Sequence, residues 1–286
     1  MSNKISRCRP LLGTYVEIQI SSSDASIASE NIDVIDKAYE AMTLCARLMS
    51  FHDKKSDLSL INKFAYSRPV KVHPWTYAVL KQAKAFYEHT DGLFDIGIGA
   101  ELRQWGLLPE PDLPHAENNT ISSTIAAVEL LPDHQVKYAN PACLDLGGIA
   151  KGYAVDKAIE ILRKHDIDYA VVNAGGDLRV TGNLEEPIYV RHPMHPEQLI
   201  FIGTISEGAV ATSASYFSTL KKNTKHSTEV CALVHAKKRT SIIKQHSYTV
   251  IAPTCMAADA LTKVLASGMH PESYCFKKFQ AKTVVI

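Results

Sequence analysis

An excess of charge of either sign is missing from this chain: 31 Lys and Arg stand against 30 Asp and Glu, a formal net charge of +1 over 286 residues. Such a balance leaves no electrostatic footprint for nucleic acid or an anionic membrane surface, so partners must be recognised at a local site. Long apolar runs are missing as well. Nothing approaches the ~18 uninterrupted apolar residues of a membrane span, and the polar, basic stretch from Met1 to Pro10 lacks the apolar run of a secretion signal. Cys8, Cys45, Cys143, Cys231, Cys255 and Cys275 show no CxxC spacing. That spacing disfavours a metal cluster or disulfide frame and reads as small buried hydrophobes in a reducing compartment. The chain as given is therefore expected to be cytoplasmic, with Cys8 no lipid-attachment site.

Common catalytic signatures are absent too. There is neither a GxGxxG nor a Walker sequence, and no GxSxG elbow supports a Ser-His-Asp hydrolase. None of the 12 histidines forms a HExxH or an i, i+4 pair, which disfavours zinc. No internal repeat or low-complexity tract occurs. What remains is an ordinary soluble composition, 46% hydrophobic and 21% charged, in a chain long enough for one large domain or two intimately packed ones.

Hydrophobic period predicts the elements. Leu11 to Ile20 alternates as a half-buried strand, interrupted at Gly13-Thr14 as by a bulge. Ser26 to Leu48 keeps a helical period. Ser56 or Asp57 caps a short helix ending near Lys63, and a longer helix runs from Pro74 or Trp75 to Glu88 and stops at Thr90-Asp91-Gly92. Pro109 to Thr120 reads as an exposed loop; Ser122 to Leu131 and Gln135 to Tyr138 read as a hairpin about Pro132-Asp133. Further on, the pattern predicts a helix from Tyr153 to His165 and strands at Tyr169–Asn173, Pro187–Arg191, Leu199–Ile205, Val230–Val234 and Tyr248–Ile251. A helix at Ala257–Ser267 and a closing strand at Val284–Ile286 complete it. Many antiparallel returns mixed with helices argue for an α+β fold of mixed, largely antiparallel sheets.

One stretch concentrates chemistry: Asp145-Leu-Gly-Gly-Ile-Ala-Lys-Gly152. Glycine permits φ > 0 and has no Cβ, so Gly147, Gly148 and Gly152 let the backbone approach a ligand. A helix beginning near Lys151 would turn free N–H groups and its positive dipole end toward an anion such as phosphate, and Lys151 adds a full charge. A plain strand-to-helix turn fits the same residues. Asp95 and Asp177 likewise stand beside bare or small backbone, and Asp259 and Thr262 lie at i, i+3 near the start of the last helix. Oxygen donors of this kind suit Mg²⁺, although Asp259 as a helix cap and Asp95 as a turn residue remain open. Thr212, in the Ala211–Tyr216 run, supplies either a ligand contact or only a turn hydroxyl.

Taken in order, LLGTYVEI (Leu11–Ile18), MSFHDKKSDLSLIN (Met49–Asn62), GLFDIGIGAELRQWG (Gly92–Gly106), DLGGIAKGYAVDKA (Asp145–Ala158), VNAGGDLRVTG (Val172–Gly182), ATSASYF (Ala211–Phe217) and YTVIAPTCMAADALTKVL (Tyr248–Leu265) resemble the FAD:protein FMN transferase (ApbE-like) family. The resemblance implies a single domain over residues 1–286 with a T-fold-like architecture. It implies an enzyme that binds FAD as substrate with Mg²⁺ at the pyrophosphate and moves FMN onto a Thr or Ser hydroxyl of a partner protein, releasing AMP. By matched position, Leu12, His52, Leu93, Phe94, Asp95, Asp145, Lys151 and Val234 would line the FAD site, with Asp177 and Thr212 as further contacts. The Gly148 carbonyl and Asp259, with Thr262, would hold the metal. His235, Asp259 and Lys151 are the candidate catalytic residues, with His235 or His226 as general base toward the acceptor hydroxyl. Two positions depart from the family. Its His-x-x-Asp-Pro block is replaced at Ala232–Ala236, and its metal-binding threonine is Lys263, which could repel the ion, partly substitute for it, or point outward while Thr262 serves. Hydrolysis of FAD to FMN and AMP, or flavin binding without catalysis, are the alternatives.

Overall fold

Seven strands form one sheet whose spatial order is the order of the chain. We label them β1 (Asn3–Leu11), β2 (Thr14–Ser22), β3 (Tyr169–Ala174), β4 (Asp177–Gly182), β5 (Gly208–Ala214), β6 (Ser247–Ala252) and β7 (Lys282–Val285), and every neighbouring pair is antiparallel. The structure, a computed structural model, describes residues 3–22, 28–109, 123–215, 220–222 and 228–286. Period-two alternation directs the sheet: Val16, Ile18 and Ile20 of β2 are fully buried, while Tyr15 on the other face is 71% exposed. The same buried face carries Ala170, Val172 and Ala174 of β3, Ala209 and Ala211 of β5, and Val250 and Ala252 of β6. Small side chains along the middle strands let helices pack closely.

Those helices are the long connections of the meander. The connection from β2 to β3 holds α1 (Ala28–Met49), α2 (Asp57–Phe64), α3 (Pro74–His89), α4 (Gly99–Gln104) and α5 (Ala150–Lys164); that from β6 to β7 holds α6 (Cys255–Ala266) and α7 (Tyr274–Lys278). Helix α5 packs against α1 and α6, and both α5 and α6 lie on the sheet. Helix α6 is apolar around almost its whole circumference and is buried accordingly, so Asp259 and Thr262 are carried into the interior with no exposed surface. Fully burying a side chain such as Leu261 or Ile159 contributes about 1.5–3 kcal/mol, and one core cluster runs from Val16 to Phe276.

The α+β class and most elements follow the sequence expectation; four details differ for physical reasons. Leu12-Gly13 is a two-residue hairpin turn, not a bulge, with φ of 57° and 72°, so the predicted Leu11–Ile20 strand is really the junction of β1 and β2. The helix after the glycine-rich stretch starts at Ala150, earlier than Tyr153. The predicted strand from Ser122 is a 3₁₀ turn at Ile125–Ala127 before a strand at Val128–Leu131. Val230–Val234 is two strands, Thr228–Val230 and Val234–His235, belonging to different two-stranded ribbons; the break is fixed where the Cys231 N–H donates to Ser241 Oγ at 2.8 Å. The loop predicted at Pro109–Thr120 lies, beyond Pro109, outside the described residues, as does His226.

Candidate functional site

The glycine-rich stretch is clamped before it turns into α5. The Asn62 side chain of α2 donates to the Leu144 carbonyl (2.9 Å) and accepts from the Leu144 N–H (2.8 Å), and Tyr138 donates to the same Asn62 oxygen at 3.2 Å. Asp145 follows, its N–H donating to the Ile96 carbonyl at 2.8 Å and its Oδ2 accepting from the Gly147 N–H at 3.0 Å. Burial pushes the Asp145 carboxyl above the ordinary carboxylate value, opposed by the Gly147 N–H and by nearby His52.

The glycines act through their missing side chains rather than through their dihedral angles. Gly147, Gly148 and Gly152 are not among the residues with positive φ, contrary to the expectation for this stretch. A Cβ on Gly152 would stand 2.3 Å from the Cys255 carbonyl oxygen, so this glycine is where α5 and α6 cross. A Cβ on Gly148 would stand 3.3 Å from Cε of Lys263, whose stem passes over that bare backbone.

That crossing brings together four charged groups. The Gly152 N–H donates to Asp259 Oδ2 at 3.2 Å; Lys263 Nζ pairs with Asp259 Oδ1 and also donates to the Asp259 carbonyl at 3.0 Å. Lys151 Nζ pairs with Asp177 Oδ2. Asp177 is set there by the β3–β4 hairpin, whose turn residues Gly175 and Gly176 have φ of 66° and 103°. Burial pushes the Asp259 carboxyl up, but the Lys263 and Lys151 ammonium groups outweigh it and hold it below the ordinary value. Burial and the Asp259 charge raise Asp177, with Lys151 opposing. Burial alone would lower Lys151, yet the Asp177 and Asp259 carboxylates outweigh it and hold its ammonium well above the ordinary lysine value.

Beside the quartet opens a cavity of about 480 Å³, with Leu12, Met49, Phe51, His52, Leu102, Asp145, Gly147, Ala150, Lys151 and Ala232 in its wall. Lys151 belongs to both cavity and quartet. A mostly apolar cleft ending in convergent polar groups at a helix start suits a flat aromatic ligand with an anionic tail. Leu12 enters this wall at a positive φ that a leucine rarely adopts, and such outliers gather at ligand sites. Replacing Leu12 by Asn, which suits the Asn-Gly form of this turn, is expected to leave thermal stability unchanged while weakening binding of such a ligand about tenfold through lost apolar contact. Differential scanning fluorimetry and titration with a ligand of that class check it; unchanged affinity would remove Leu12 from the site.

Other expected residues are placed differently. Asp95 is buried, its Oδ1 accepting from the Gly97 (2.8 Å) and Ile125 (2.9 Å) N–H groups, and with buried Phe94 and half-buried Leu93 it is absent from the described cavity wall. Arg239 reaches this loop from a turn, donating to the carbonyls of Gly97 (2.7 Å) and Ser123 (2.6 Å) with Asp95 Oδ2 at 3.5 Å. Thr212 bonds Thr249 at 2.9 Å on the sheet face away from α6; its neighbour Ser213 instead meets Thr262 Oγ1 at 2.7 Å. Val234 is buried and His235 half-buried on a ribbon packed against α6.

Sequence reasoning passed over Arg239 and Asp156, and took Thr212 rather than Ser213 from the hydroxyl-rich Ala211–Tyr216 run. Asp156 accepts from the Cys255 and Met256 N–H groups at 2.9 Å each and pairs with Arg179 at 2.7 Å, anchoring the start of α6 with an anion on α5. Only the alternation along β5, with Ala209 and Ala211 on the core side, could have singled out Ser213 over Thr212.

The donors expected to hold Mg²⁺ do not fit that ion. Asp259 is already paired to an ammonium and a backbone N–H, and Thr262 Oγ1 donates to the Asp259 carbonyl at 2.7 Å while bonded to Ser213. Mg²⁺ demands near-octahedral oxygen donors, and a neighbouring ammonium repels it. Among the described residues no group of three or more His, Cys, Asp or Glu side chains could hold a metal ion.

Comparison with known proteins gives concordant results. The sequence profile described as the ApbE family matches residues 12–275. The FAD:protein FMN transferase of Treponema pallidum is 27% identical over 235 residues, covering 74% of this chain and 64% of that protein. The enzyme of the same name from Vibrio cholerae is 26% identical over 264 residues, 88% of this chain and 78% of that protein. The chain thus spans a little under two thirds of the Treponema relative. Among solved structures, the ApbE protein of Thermotoga maritima superposes with a TM-score of 0.78 at 29% identity, covering 93% of this chain and 87% of that one. The apo flavinyl transferase ApbE of Pseudomonas stutzeri gives 0.80 at 18% identity over 100% and 94%, a likeness of fold alone.

Proposed function

The chain belongs to the ApbE family, and from that premise we propose that it is an FAD:protein FMN transferase, with residues 1–286 acting as one domain. It takes FAD into the cavity beside α5, transfers the FMN half to a Thr or Ser hydroxyl of a partner protein and releases AMP. The observation that carries this reading is the Gly152 N–H to Asp259 bond, which puts the bare backbone of Asp145–Gly152 against α6 next to a cavity large enough for a flavin. The Lys151 ammonium and the N–H groups opening α5 would hold the diphosphate in line and offset charge as the phosphorus–oxygen bond is exchanged. No step is assigned to magnesium, since Asp259 is engaged by Lys263.

The acceptor hydroxyl needs a base, and His235 is our candidate. Burial and the surrounding lysines, Lys238 first, hold its pKa below the ordinary histidine value, so it is neutral at pH 7 and able to accept a proton. The transfer rate is expected to be level at neutral pH and to fall only on the acid side of the ordinary histidine value, as His235 protonates, and His235→Gln should abolish that acid limb. An unchanged pH profile in the variant rules His235 out. Among the described residues no helix is long and apolar enough to cross a membrane, and six free thiols accord with a cytoplasmic setting. The function itself is tested by incubating the protein with FAD and a Thr-bearing acceptor. Covalent in-gel flavin fluorescence and a mass gain of FMN on the acceptor are expected; free FMN and AMP alone would make the protein a hydrolase, and bound, unchanged FAD a non-catalytic flavin binder.

A further inference from the structure

We propose that the Lys263 ammonium stands where a divalent cation would otherwise bridge protein and substrate, so that this chain binds its nucleotide diphosphate without a metal ion. The first observation is the pairing itself: Lys263 Nζ pairs with Asp259 Oδ1 and donates to the Asp259 carbonyl at 3.0 Å, on a carboxylate with no exposed surface. The second is the path of the side chain. Its Cε would lie 3.3 Å from a Cβ on Gly148, so the ammonium is delivered across the one backbone segment whose carbonyl is a metal-ligand candidate. The third is that the remaining donor, Thr262, is turned away into bonds with the Asp259 carbonyl and Ser213.

An ammonium carries three N–H donors. Two are spent on Asp259, which leaves one for a phosphate oxygen, and the Lys263 side chain keeps 20% of its surface exposed. Lys151, joined to Asp177 and lining the cavity, offers a second cation. A divalent ion entering beside Asp259 would have to displace one ammonium and withstand another in a poorly hydrated setting, where like charges repel strongly.

This inference rests on the flavin reading for its ligand but not for its metal test. Titration of the nucleotide-free protein with Mn²⁺, followed by electron paramagnetic resonance, is expected to show no saturable site; a site that Asp259→Asn removes would overturn the proposal. FAD affinity, followed by flavin fluorescence, is expected to differ by less than about threefold between EDTA and Mg²⁺, and a larger loss in EDTA would overturn it too. Lys263→Thr is expected to weaken FAD binding in EDTA by about tenfold or more, the scale of a hydrogen bond to a charged group, with recovery on adding Mg²⁺ to the freed carboxylate. If the variant binds FAD in EDTA as the native protein does, Lys263 has no such role. Failure to bind FAD under any condition would sink the flavin reading, while the Mn²⁺ titration would still decide the metal question.

Discussion

Lys151→Met is expected to weaken FAD binding by a hundredfold or more and to destabilise the fold by about 3 kcal/mol. The side chain is isosteric in its stem, so the loss is one of charge. Lys151 Nζ is the partner of Asp177, whose side chain is 4% exposed. Breaking a buried pair by removing one partner costs about 3–5 kcal/mol, and the lower end applies because the Lys151 side chain is 35% exposed. The loss should depend on pH with a definite sign. Without the ammonium, burial and the Asp259 charge raise the folded-state pKa of Asp177 further above its unfolded value. The folded variant then binds more protons than the unfolded chain, so its stability falls as pH rises through that window. Urea unfolding at pH 5 and pH 8 checks this, with the larger deficit relative to native protein expected at pH 8. The affinity loss follows because Lys151 lines the cavity wall as well, and a preorganised cation at a diphosphate acts in a water-poor site. Native-like FAD affinity in the variant would disprove the assigned role.

Gly152→Ala is expected to cost about 3 kcal/mol net and to lower the melting temperature by roughly 10 °C. In an exposed helix this change would gain about 1 kcal/mol of helix propensity. Here the added Cβ would meet the Cys255 carbonyl oxygen at 2.3 Å, the Cys255 carbonyl carbon at 2.6 Å and the Met256 Cα at 2.7 Å. All three are backbone atoms, so no side chain can swing aside and α5 must move off α6. Overpacking of that kind costs about 1–3 kcal/mol. Separation also strains the bonds from the Cys255 and Met256 N–H groups to Asp156 and from the Gly152 N–H to Asp259, each worth about 1 kcal/mol or more. A melting temperature equal to that of the native protein would show that the helices can part freely and that the crossing does not fix the site.

What could be read beforehand and what could not divides along physical lines. Glycines beside carboxylates announce bare backbone near charge, and Asp145, Lys151 and Asp177 were legible for that reason, while Asp259 stood out by its i, i+3 spacing with Thr262 near the start of the last helix. Why Gly152 is a glycine was not, because the cause is a helix more than a hundred residues away rather than a local dihedral angle. Asp156 was illegible in the same way: its partners are N–H groups at Cys255 and Met256, and nothing within its own helix hints at them. The Leu12-Gly13 turn misled because leucine is a poor choice for a left-handed position, so the hairpin chemistry was hidden by a residue kept in the cavity wall. Thr212 and Ser213 differ only in strand parity, and a run of small hydroxyl residues carries a weak alternation signal.

The bond between Gly152 and Asp259 joins positions separated by 107 residues. A polypeptide emerging from the ribosome therefore has α5 long before it has α6, and contacts of such wide separation close late and slowly. With the flavin site as proposed, the nascent protein would pass most of its synthesis unable to grip its nucleotide, and ligand added early in refolding should not speed the reaction; only once the final helix docks would ligand hold the molecule together by mass action.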